Sequence, residues 1–191
     1  MKAIPGSLPE ESSSASAGAP AVRAVCLVGF MGAGKSSVGK ALGRQLGWLF
    51  VDLDERIQSR EKRTIEEIFR QSGETEFRQA EHSALRELLS ELSSSPVVIA
   101  LGGGAFVQPE NVALLEKAGI PTVFLDAPVD ELFRRCQEQQ IDRPLRRDQE
   151  QFRQLHGARR EGYMAASLRI ETSGKDVDTV ATEVANRLEF R

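Results

Sequence analysis

One short segment narrows the folds open to this chain more than any other. Residues 29–36 read Gly-Phe-Met-Gly-Ala-Gly-Lys-Ser, which is the pattern of a glycine, four residues and then Gly-Lys-Ser that characterises a P-loop. The apolar run at 24–28 before it predicts a strand, and the spacing of apolar residues from 35 to 46 predicts a helix. Because a P-loop needs this order of strand, turn and helix, the sequence predicts a phosphate-binding turn at the edge of a sheet.

The residue types of this turn suit the binding of a nucleoside triphosphate. Glycines let backbone N–H groups turn inward around the β-phosphate, and the start of the helix adds a partial positive charge. Lys35 can reach the β- and γ-phosphates, and the hydroxyl of Ser36 can bind Mg²⁺. The turn therefore predicts a site for a nucleotide and its magnesium ion.

The rest of the chain alternates predicted strands and helices. Further strands are predicted at 49–51, 97–101, 122–125 and 168–170, and further helices from Thr64 with Glu67 as its capping partner, over 77–92 and 109–118, from Pro128, and over 177–188. Strands without alternation of polar and apolar residues, each followed by a helix, are typical of a parallel sheet covered on both faces. We therefore predict an α/β fold of three layers, with the sheet between two layers of helices.

Composition limits the domain and its partners. The chain has 191 residues, a net charge of −3 and 40% hydrophobic residues, which fits one globular domain and argues against a nucleic-acid reader that relies on general positive charge. Fifteen of the first 21 residues are Ser, Ala, Pro or Gly, so we expect a disordered tail at 1–21 and a single domain at 22–191. The apolar runs are too short for a membrane span.

Several conspicuous side chains have ordinary structural interpretations. Cys26 and Cys136 lie in apolar surroundings without a Cys-x-x-Cys pair or a nearby histidine, so we expect two buried cysteines, neither a disulfide nor a zinc site, and a reducing cytoplasm. His82 and His156 lack ligand partners at useful spacing, and we expect both at the surface. Trp48 is expected to be a packing residue.

Two groups of residues follow predicted strands at the edge that carries the P-loop. Asp52 and Asp54 follow the strand 49–51, and three consecutive glycines at 102–104 follow the strand 97–101. The carboxyl ends of parallel strands open onto one crevice, and two aspartates two residues apart at a strand end point roughly the same way. One aspartate could hold Mg²⁺ directly or through water, while the other accepts a hydrogen bond from an acceptor hydroxyl. Since consecutive glycines cost backbone entropy, the triplet fits a ligand that approaches the main chain closely.

As a set, these motifs resemble those of shikimate kinase. The similarity covers nearly the whole chain from about Val22 and rests on residues 29–36, 51–54, 64–69, Gly73-Glu74, Phe77-Arg78, 102–104 and Asp142-Arg143-Pro144-Leu145. The resemblance implies a P-loop fold of the nucleoside-monophosphate-kinase type with a five-stranded parallel sheet. It also implies Mg²⁺-dependent transfer of phosphate from ATP to the 3-hydroxyl of shikimate, on the route to chorismate and the aromatic amino acids.

The resemblance further implies a role for each matching residue. The ATP phosphates would contact Gly32, Ala33, Gly34, Lys35, Ser36 and Ser37. Mg²⁺ would lie on Ser36 with Asp52 nearby. The shikimate hydroxyls would contact Asp54 and the triplet Gly102, Gly103 and Gly104. Arg78 and Arg159 would bind the shikimate carboxylate. Arg143 would fold over ATP as part of a lid at about 138–157, and it would join Lys35 and Asp54 in catalysis.

One motif departs from the family pattern. The family usually shows Arg-x-Pro-Leu-Tyr, whereas this chain reads Arg159-Arg160-Glu161-Gly162-Tyr163, and the stretch between Arg143 and Arg159 is a few residues short. Either Arg159 or Arg160 could therefore be the second arginine that binds the carboxylate.

Other functions remain as alternatives. A gluconate-type kinase would share the P-loop but not the combination of Asp-x-Asp, Phe-Arg and three glycines. A catalytically silent ATP-binding regulator is disfavoured because Lys35, Ser36, Asp52 and Asp54 are all present. A GTPase would need an Asn-Lys-x-Asp tetrapeptide, which the sequence lacks. We expect a cytoplasmic monomer that binds ATP and shikimate.

Overall fold

A parallel sheet forms the centre of the protein, and helices cover both of its faces. The computed structural model describes residues 24–92, 95–138 and 148–190. Within these ranges the strands are β1 (Ala24–Val28), β2 (Leu49–Asp52), β3 (Val97–Ala100), β4 (Thr122–Asp126) and β5 (Leu168–Glu171). The helices are α1 (Lys35–Leu46), α2 (Leu53–Glu61), α3 (Ile65–Glu91), α4 (Pro109–Lys117), α5 (Val129–Glu138), α6 (Gln149–Tyr163) and α7 (Val177–Arg187). A short 3₁₀ turn, Ala105–Val107, lies between β3 and α4.

The five strands lie in the order β2-β3-β1-β4-β5, and every neighbouring pair is parallel. β1 is at the centre, with Val25 opposite Val98 of β3 and Leu27 opposite Val123 of β4. β1, β3 and β4 are buried along their whole length, which explains why they show no alternation of polar residues. The predicted three-layer α/β fold with five parallel strands is confirmed.

The helices differ from the prediction in three places. α2 begins directly after β2, where the sequence predicts no helix. α6 lies in the arginine-rich segment before β5, for which the sequence predicts no regular element. The two helices predicted from Thr64 and over 77–92 form one helix, α3, which is kinked at Gly73, whose φ is +80°. The predicted start of α3 is confirmed: the Thr64 hydroxyl accepts a hydrogen bond from the N–H of Glu67 at 3.2 Å, and the Glu67 carboxylate accepts one from the N–H of Thr64 at 2.7 Å.

The structure confirms the expected burial of the two cysteines and the packing of Trp48, and it corrects the expected position of His156. Cys26 and Cys136 are both buried, and the Trp48 ring packs on Phe190 with 4.7 Å between centroids. His82 is half-buried, with Nδ1 2.9 Å from Asn111 Oδ1, and His156 is only 8% exposed. The expected surface position of His156 is therefore wrong, because its place in α6 turns it toward the core.

Some predictions concern other parts of the chain. The tail at 1–21, the lid arginine Arg143 that the resemblance implies, and residues 139–147 of the expected lid lie outside the described residues. Among the residues that are described, no helix is both long and apolar enough to cross a membrane.

Candidate active site

The P-loop joins β1 to α1 at the carboxyl edge of the sheet. Gly32 has a φ of +81°, and a Cβ atom there would lie 2.5 Å from the carbonyl oxygen of Leu132, so both the backbone conformation and the space require glycine. α1 begins at Lys35. The Lys35 ammonium group donates hydrogen bonds to the carbonyl oxygens of Gly29 at 2.9 Å and Phe30 at 3.0 Å. It therefore lies over the same loop whose N–H groups and helix start suit a phosphate.

Asp52 links the P-loop helix to the neighbouring strand. Its Oδ2 atom accepts a hydrogen bond from the Ser36 hydroxyl at 2.6 Å, and its Oδ1 atom accepts one from the N–H of Asp54 at 3.0 Å. Asp52 thus caps α2 with one oxygen and presents the other to Ser36.

A hydroxyl beside a carboxylate is a donor set that suits Mg²⁺, which in nucleotide sites uses few protein ligands and takes the remainder from phosphates and water. No cluster of three or more His, Cys, Asp or Glu that could enclose a metal occurs among the described residues. The residues at Ser36 and Asp52 therefore fit a magnesium ion that arrives with the nucleotide.

Asp54 reaches the crevice by a different route from the one expected. The strand ends at Asp52 and Leu53 begins α2, so Asp54 lies in the first turn of a helix and the two aspartates do not share one face of a strand. Its carboxylate approaches the glycine triplet: a Cβ atom at Gly102 would lie 2.5 Å from Asp54 Oδ1. Glycine at 102 is therefore needed to leave room for this carboxylate.

Arg78 approaches the opposite end of the triplet from α3. A Cβ atom at Gly104 would lie 2.5 Å from both terminal nitrogens of the Arg78 guanidinium. The guanidinium donates to Glu81 Oε2 at 2.7 Å and to Glu74 Oε1 at 3.2 Å. Its position is thus fixed by two carboxylates of its own helix and by the backbone of the triplet.

Arg159 and Arg160 point to different places. Arg159 Nη1 donates to the carbonyl oxygen of Gly103 at 3.3 Å, next to the Tyr163 hydroxyl, which donates to the same oxygen. Arg160 Nη2 instead donates to Asp126 Oδ2 at 2.9 Å. Of the two arginines that the sequence left open, Arg159 lies at the triplet and Arg160 lies at the end of β4.

Glu81 is a site residue that the sequence analysis missed. Its side chain is 1% exposed, and Oε1 has no hydrogen-bond partner among the described residues. Burial raises the pKa of the carboxyl group, although Arg78 opposes this shift. Asp54 and Arg159 also lie within electrostatic range of Glu81. A signal was available, because Glu81 falls on the apolar stripe of α3 with Phe77, Ala84, Leu85 and Leu88.

The resulting crevice contains both positively and negatively charged side chains. Lys35, Arg78 and Arg159 contribute positive charge, and Asp52, Asp54 and Glu81 contribute carboxylates. Burial also raises the pKa of the Tyr163 hydroxyl to about 12, so this group remains a hydrogen-bond donor. Cations beside a phosphate-binding turn, with a carboxylate close by, are the groups that phosphoryl transfer to a hydroxyl requires.

A P-loop at the end of the central strand of a parallel sheet, with charged side chains along the same edge, is the arrangement of a small-molecule kinase. The family model for shikimate kinase matches residues 31–189. A shikimate kinase of Geobacter metallireducens is 44% identical over 173 residues, which is 89% of this chain and 94% of that protein. The chain belongs to the shikimate kinase family, and the resemblance noted from its motifs is confirmed.

Solved structures agree with this assignment. A structure described as shikimate kinase from Acinetobacter baumannii in complex with shikimate has a TM-score of 0.80 at 32% identity, covering 88% of this chain and 94% of that one. Shikimate kinase from Aquifex aeolicus has a TM-score of 0.76 at 34% identity, covering 87% and 96% respectively. The similarity therefore extends over most of the chain.

Proposed function

We propose that this protein transfers the γ-phosphoryl group of ATP to the 3-hydroxyl group of shikimate. The observation that carries the proposal is the convergence of Asp54, Arg78 and Arg159 on one glycine triplet beside an intact P-loop. Membership of the shikimate kinase family supports it. Shikimate carries one carboxylate and several hydroxyls, which match two arginines, an aspartate and a stretch of backbone that carries no side chains.

Asp54 orients and deprotonates the acceptor hydroxyl. The bond that forms joins the 3-hydroxyl oxygen to the γ-phosphorus, and the bond that breaks joins the γ-phosphorus to the oxygen that leaves with ADP. Asp54 accepts a hydrogen bond from the hydroxyl and takes its proton as the new bond forms. Lys35 stabilises the charge that spreads over the transferred phosphoryl oxygens.

Ser36 and Asp52 would hold Mg²⁺. When bound, the ion neutralises part of the negative charge on the β- and γ-phosphates. The hydrogen bond between Ser36 and Asp52 keeps both oxygens beside the P-loop, and Asp52 also fixes the first turn of α2, on which Asp54 lies. The proposed metal-binding and acceptor-binding carboxylates are thus connected through one backbone segment.

Arg78 and Arg159 would clamp the shikimate carboxylate. Each guanidinium can donate two parallel N–H groups to a carboxylate, which fixes the orientation of the ring as well as its charge. The two arginines come from α3 and α6 and meet at Gly103 and Gly104. Holding the carboxylate on this side directs a hydroxyl toward Asp54 and the P-loop.

The remaining expectations follow from the same site. We expect Arg143 to contribute to ATP binding, as the resemblance implies. We expect the protein to act as a monomer. The burial of both cysteines and the use of ATP suit the cytoplasm.

A single assay tests the proposal. ADP formation is measured with ATP and Mg²⁺ in the presence of shikimate, of gluconate, or of no acceptor, and the Lys35→Ala variant serves as the control for contaminating kinases. We expect turnover with shikimate alone, its loss on chelation by EDTA, and no activity in Lys35→Ala. Turnover with gluconate instead would favour a gluconate-type kinase, and binding of ATP without turnover on any acceptor would favour a regulator.

A further inference from the structure

Two arginines pair with one buried carboxylate at the end of β4, the strand next to β1. The Asp126 side chain, at the end of β4, is 4% exposed. Its Oδ2 atom accepts hydrogen bonds from Arg160 Nη2 at 2.9 Å and from Arg169 Nε at 2.9 Å, and Arg169 Nη2 lies 2.7 Å away. One carboxylate oxygen therefore joins α6, β4 and β5.

The position of Arg160 gives this cluster a connection to the acceptor site. Consecutive residues of an α-helix are rotated by about 100° around its axis, so Arg159 and Arg160 leave the same turn in different directions. Arg159 reaches the carbonyl oxygen of Gly103, whereas Arg160 reaches Asp126. Fixing Arg160 on a buried carboxylate thus fixes the rotation of the last turns of α6, and with it the direction of Arg159.

The last turn of α6 contains a glycine. Gly162 lies between the two arginines and Tyr163, and glycine adds backbone freedom to a helix. A Cβ atom at Gly162 would lie 2.8 Å from Val107 Cγ1, so glycine is needed for the close contact with the 3₁₀ turn that follows the triplet. An anchor from outside the helix offsets that freedom.

We propose that the Arg160–Asp126 pair is a positioning device for Arg159, which it holds in the orientation that binds the acceptor carboxylate. The inference rests on the proposed function, since it concerns the same clamp. Neither Arg160 nor Asp126 contacts the acceptor; both act through Arg159. The pair lowers the cost of ordering Arg159 when the acceptor binds, which is the general benefit of preorganisation.

Arg169 supplies a matched control. Arg160 and Arg169 donate to the same oxygen of Asp126, and their side chains are similarly exposed, at 40% and 47%. Arg160→Ala separates α6 from Asp126, whereas Arg169→Ala separates only β5 from it. A loss of general stability would affect both variants, but a loss of Arg159 orientation would affect only the first.

The experiment compares steady-state kinetics of the two variants with those of the wild type. We expect Arg160→Ala to raise the KM for shikimate by about three- to tenfold through lost preorganisation, with the KM for ATP and kcat nearly unchanged. Arg169→Ala should change the KM for shikimate by less than about twofold, as removal of an exposed ion-pair partner usually does. An equal effect of both variants, or no effect of Arg160→Ala, would overturn the positioning role.

A double variant tests whether Arg160 acts through Arg159. In the Arg159→Ala background, adding Arg160→Ala should leave the KM for shikimate unchanged, because the group to be positioned is absent. Additive losses would overturn the inference by showing that Arg160 contributes independently. Failure of the proposed function has a different signature: the wild type itself would not phosphorylate shikimate, and the inference would fall with it.

Discussion

Asp54 and Gly102 illustrate how closely individual residues are fitted at the proposed acceptor site. The carboxylate lies against a backbone position that admits no side chain, and it comes from a helix whose first turn is capped by Asp52. Its orientation is therefore set before any acceptor binds, which is the condition under which a positioned carboxylate contributes most to proton transfer.

Asp54→Asn should lose turnover and not nucleotide binding. An amide keeps the shape of the side chain but cannot take the hydroxyl proton, so we expect kcat to fall by about 10² to 10⁴, with the KM for ATP nearly unchanged. Steady-state kinetics with both substrates measure this. Asp178→Asn, on the exposed side of α7, is the matched control and should behave as the wild type. A variant that changed only the KM for ATP would place Asp54 on the nucleotide side.

Arg78→Ala should weaken shikimate binding by a factor of tens or more and leave ATP binding almost intact. The loss is large because the remaining charges in a closed site are then imperfectly paired. The midpoint of thermal unfolding should also fall, since Glu81 would lose the partner that offsets its burial. Titration calorimetry with each ligand separates the effects, and Arg86→Ala, on an exposed position of the same helix, is the control. Equal losses of ATP and shikimate affinity would contradict the clamp.

The sequence alone does not reveal that Glu81 is a buried carboxylate of the candidate site. A glutamate on an apolar helical stripe is visible in the sequence, but its significance depends on α3 bringing it against Gly102 and Arg78. Burial of a carboxyl group is a tertiary property, so neither spacing nor residue type alone could predict the raised pKa.

Among the secondary-structure elements, local signals decided what could be predicted. β1 and β3 are apolar throughout, the centre of β4 is apolar, and α1 and α4 have regular apolar spacing, so their limits agree with the predictions to within a residue or two. α6 was missed because its sequence is dominated by charged and polar residues, and the few that it buries are Phe152, His156 and Tyr163. α2 was missed because Asp52 and Asp54 were interpreted only as strand-end ligands, although an aspartate followed by two further acids is also a helix start.

Thr64→Ala should destabilise the protein through the start of α3 without affecting the chemistry. Loss of a threonine cap typically costs about 1 kcal/mol of unfolding free energy, and Thr64 lies far along the chain from the P-loop. Urea denaturation measures the loss, and Thr64→Ser, which keeps the hydroxyl, should retain most of the stability. An activity loss in Thr64→Ala at a temperature where the protein is folded would contradict the expectation.

The stability that the Thr64–Glu67 cap contributes should also depend on pH. Hydrogen bonding from the N–H of Thr64 lowers the pKa of the Glu67 carboxyl below its ordinary value of 4.5. The contribution of Glu67 is therefore present above that value and is lost as the pH falls through the lower pKa of the folded state. Glu67→Gln should reduce the dependence of stability on pH in this acid range.

The complete domain places residues from distant parts of the sequence along one edge. The P-loop follows β1, Asp52 ends β2 and the glycine triplet follows β3, so adjacent parallel strands deliver them to the same crevice. This convergence was predictable from the parallel topology. The choice between Arg159 and Arg160 was not, because it depends on the rotation of α6 against the sheet, which no local pattern encodes.

His156 connects α6 to the start of the P-loop and makes the stability of the domain sensitive to mild acid. Its ring packs edge-on against Phe30, with 5.2 Å between centroids, and it is 8% exposed. Burial lowers the pKa of His156 from its ordinary value of 6.5, although the negative charge of Asp126 opposes this shift. The folded state therefore holds the imidazole neutral at a pH where the unfolded chain already binds a proton.

Because the pKa of His156 is lower in the folded state than in the unfolded chain, acid should destabilise the fold. The contribution of the neutral imidazole to stability is fully present above the unfolded value of 6.5, and it is lost as the pH falls below that value toward the lower pKa of the folded state. Urea denaturation of the wild type at intervals between about pH 7.5 and pH 5 should show the unfolding free energy decreasing over this range. His156→Leu replaces the ring with an apolar side chain that does not titrate, so its stability should change less with pH even if its absolute value is lower. An identical slope in wild type and variant would show that other groups cause the acid sensitivity, and that burial of His156 between α6 and the P-loop does not.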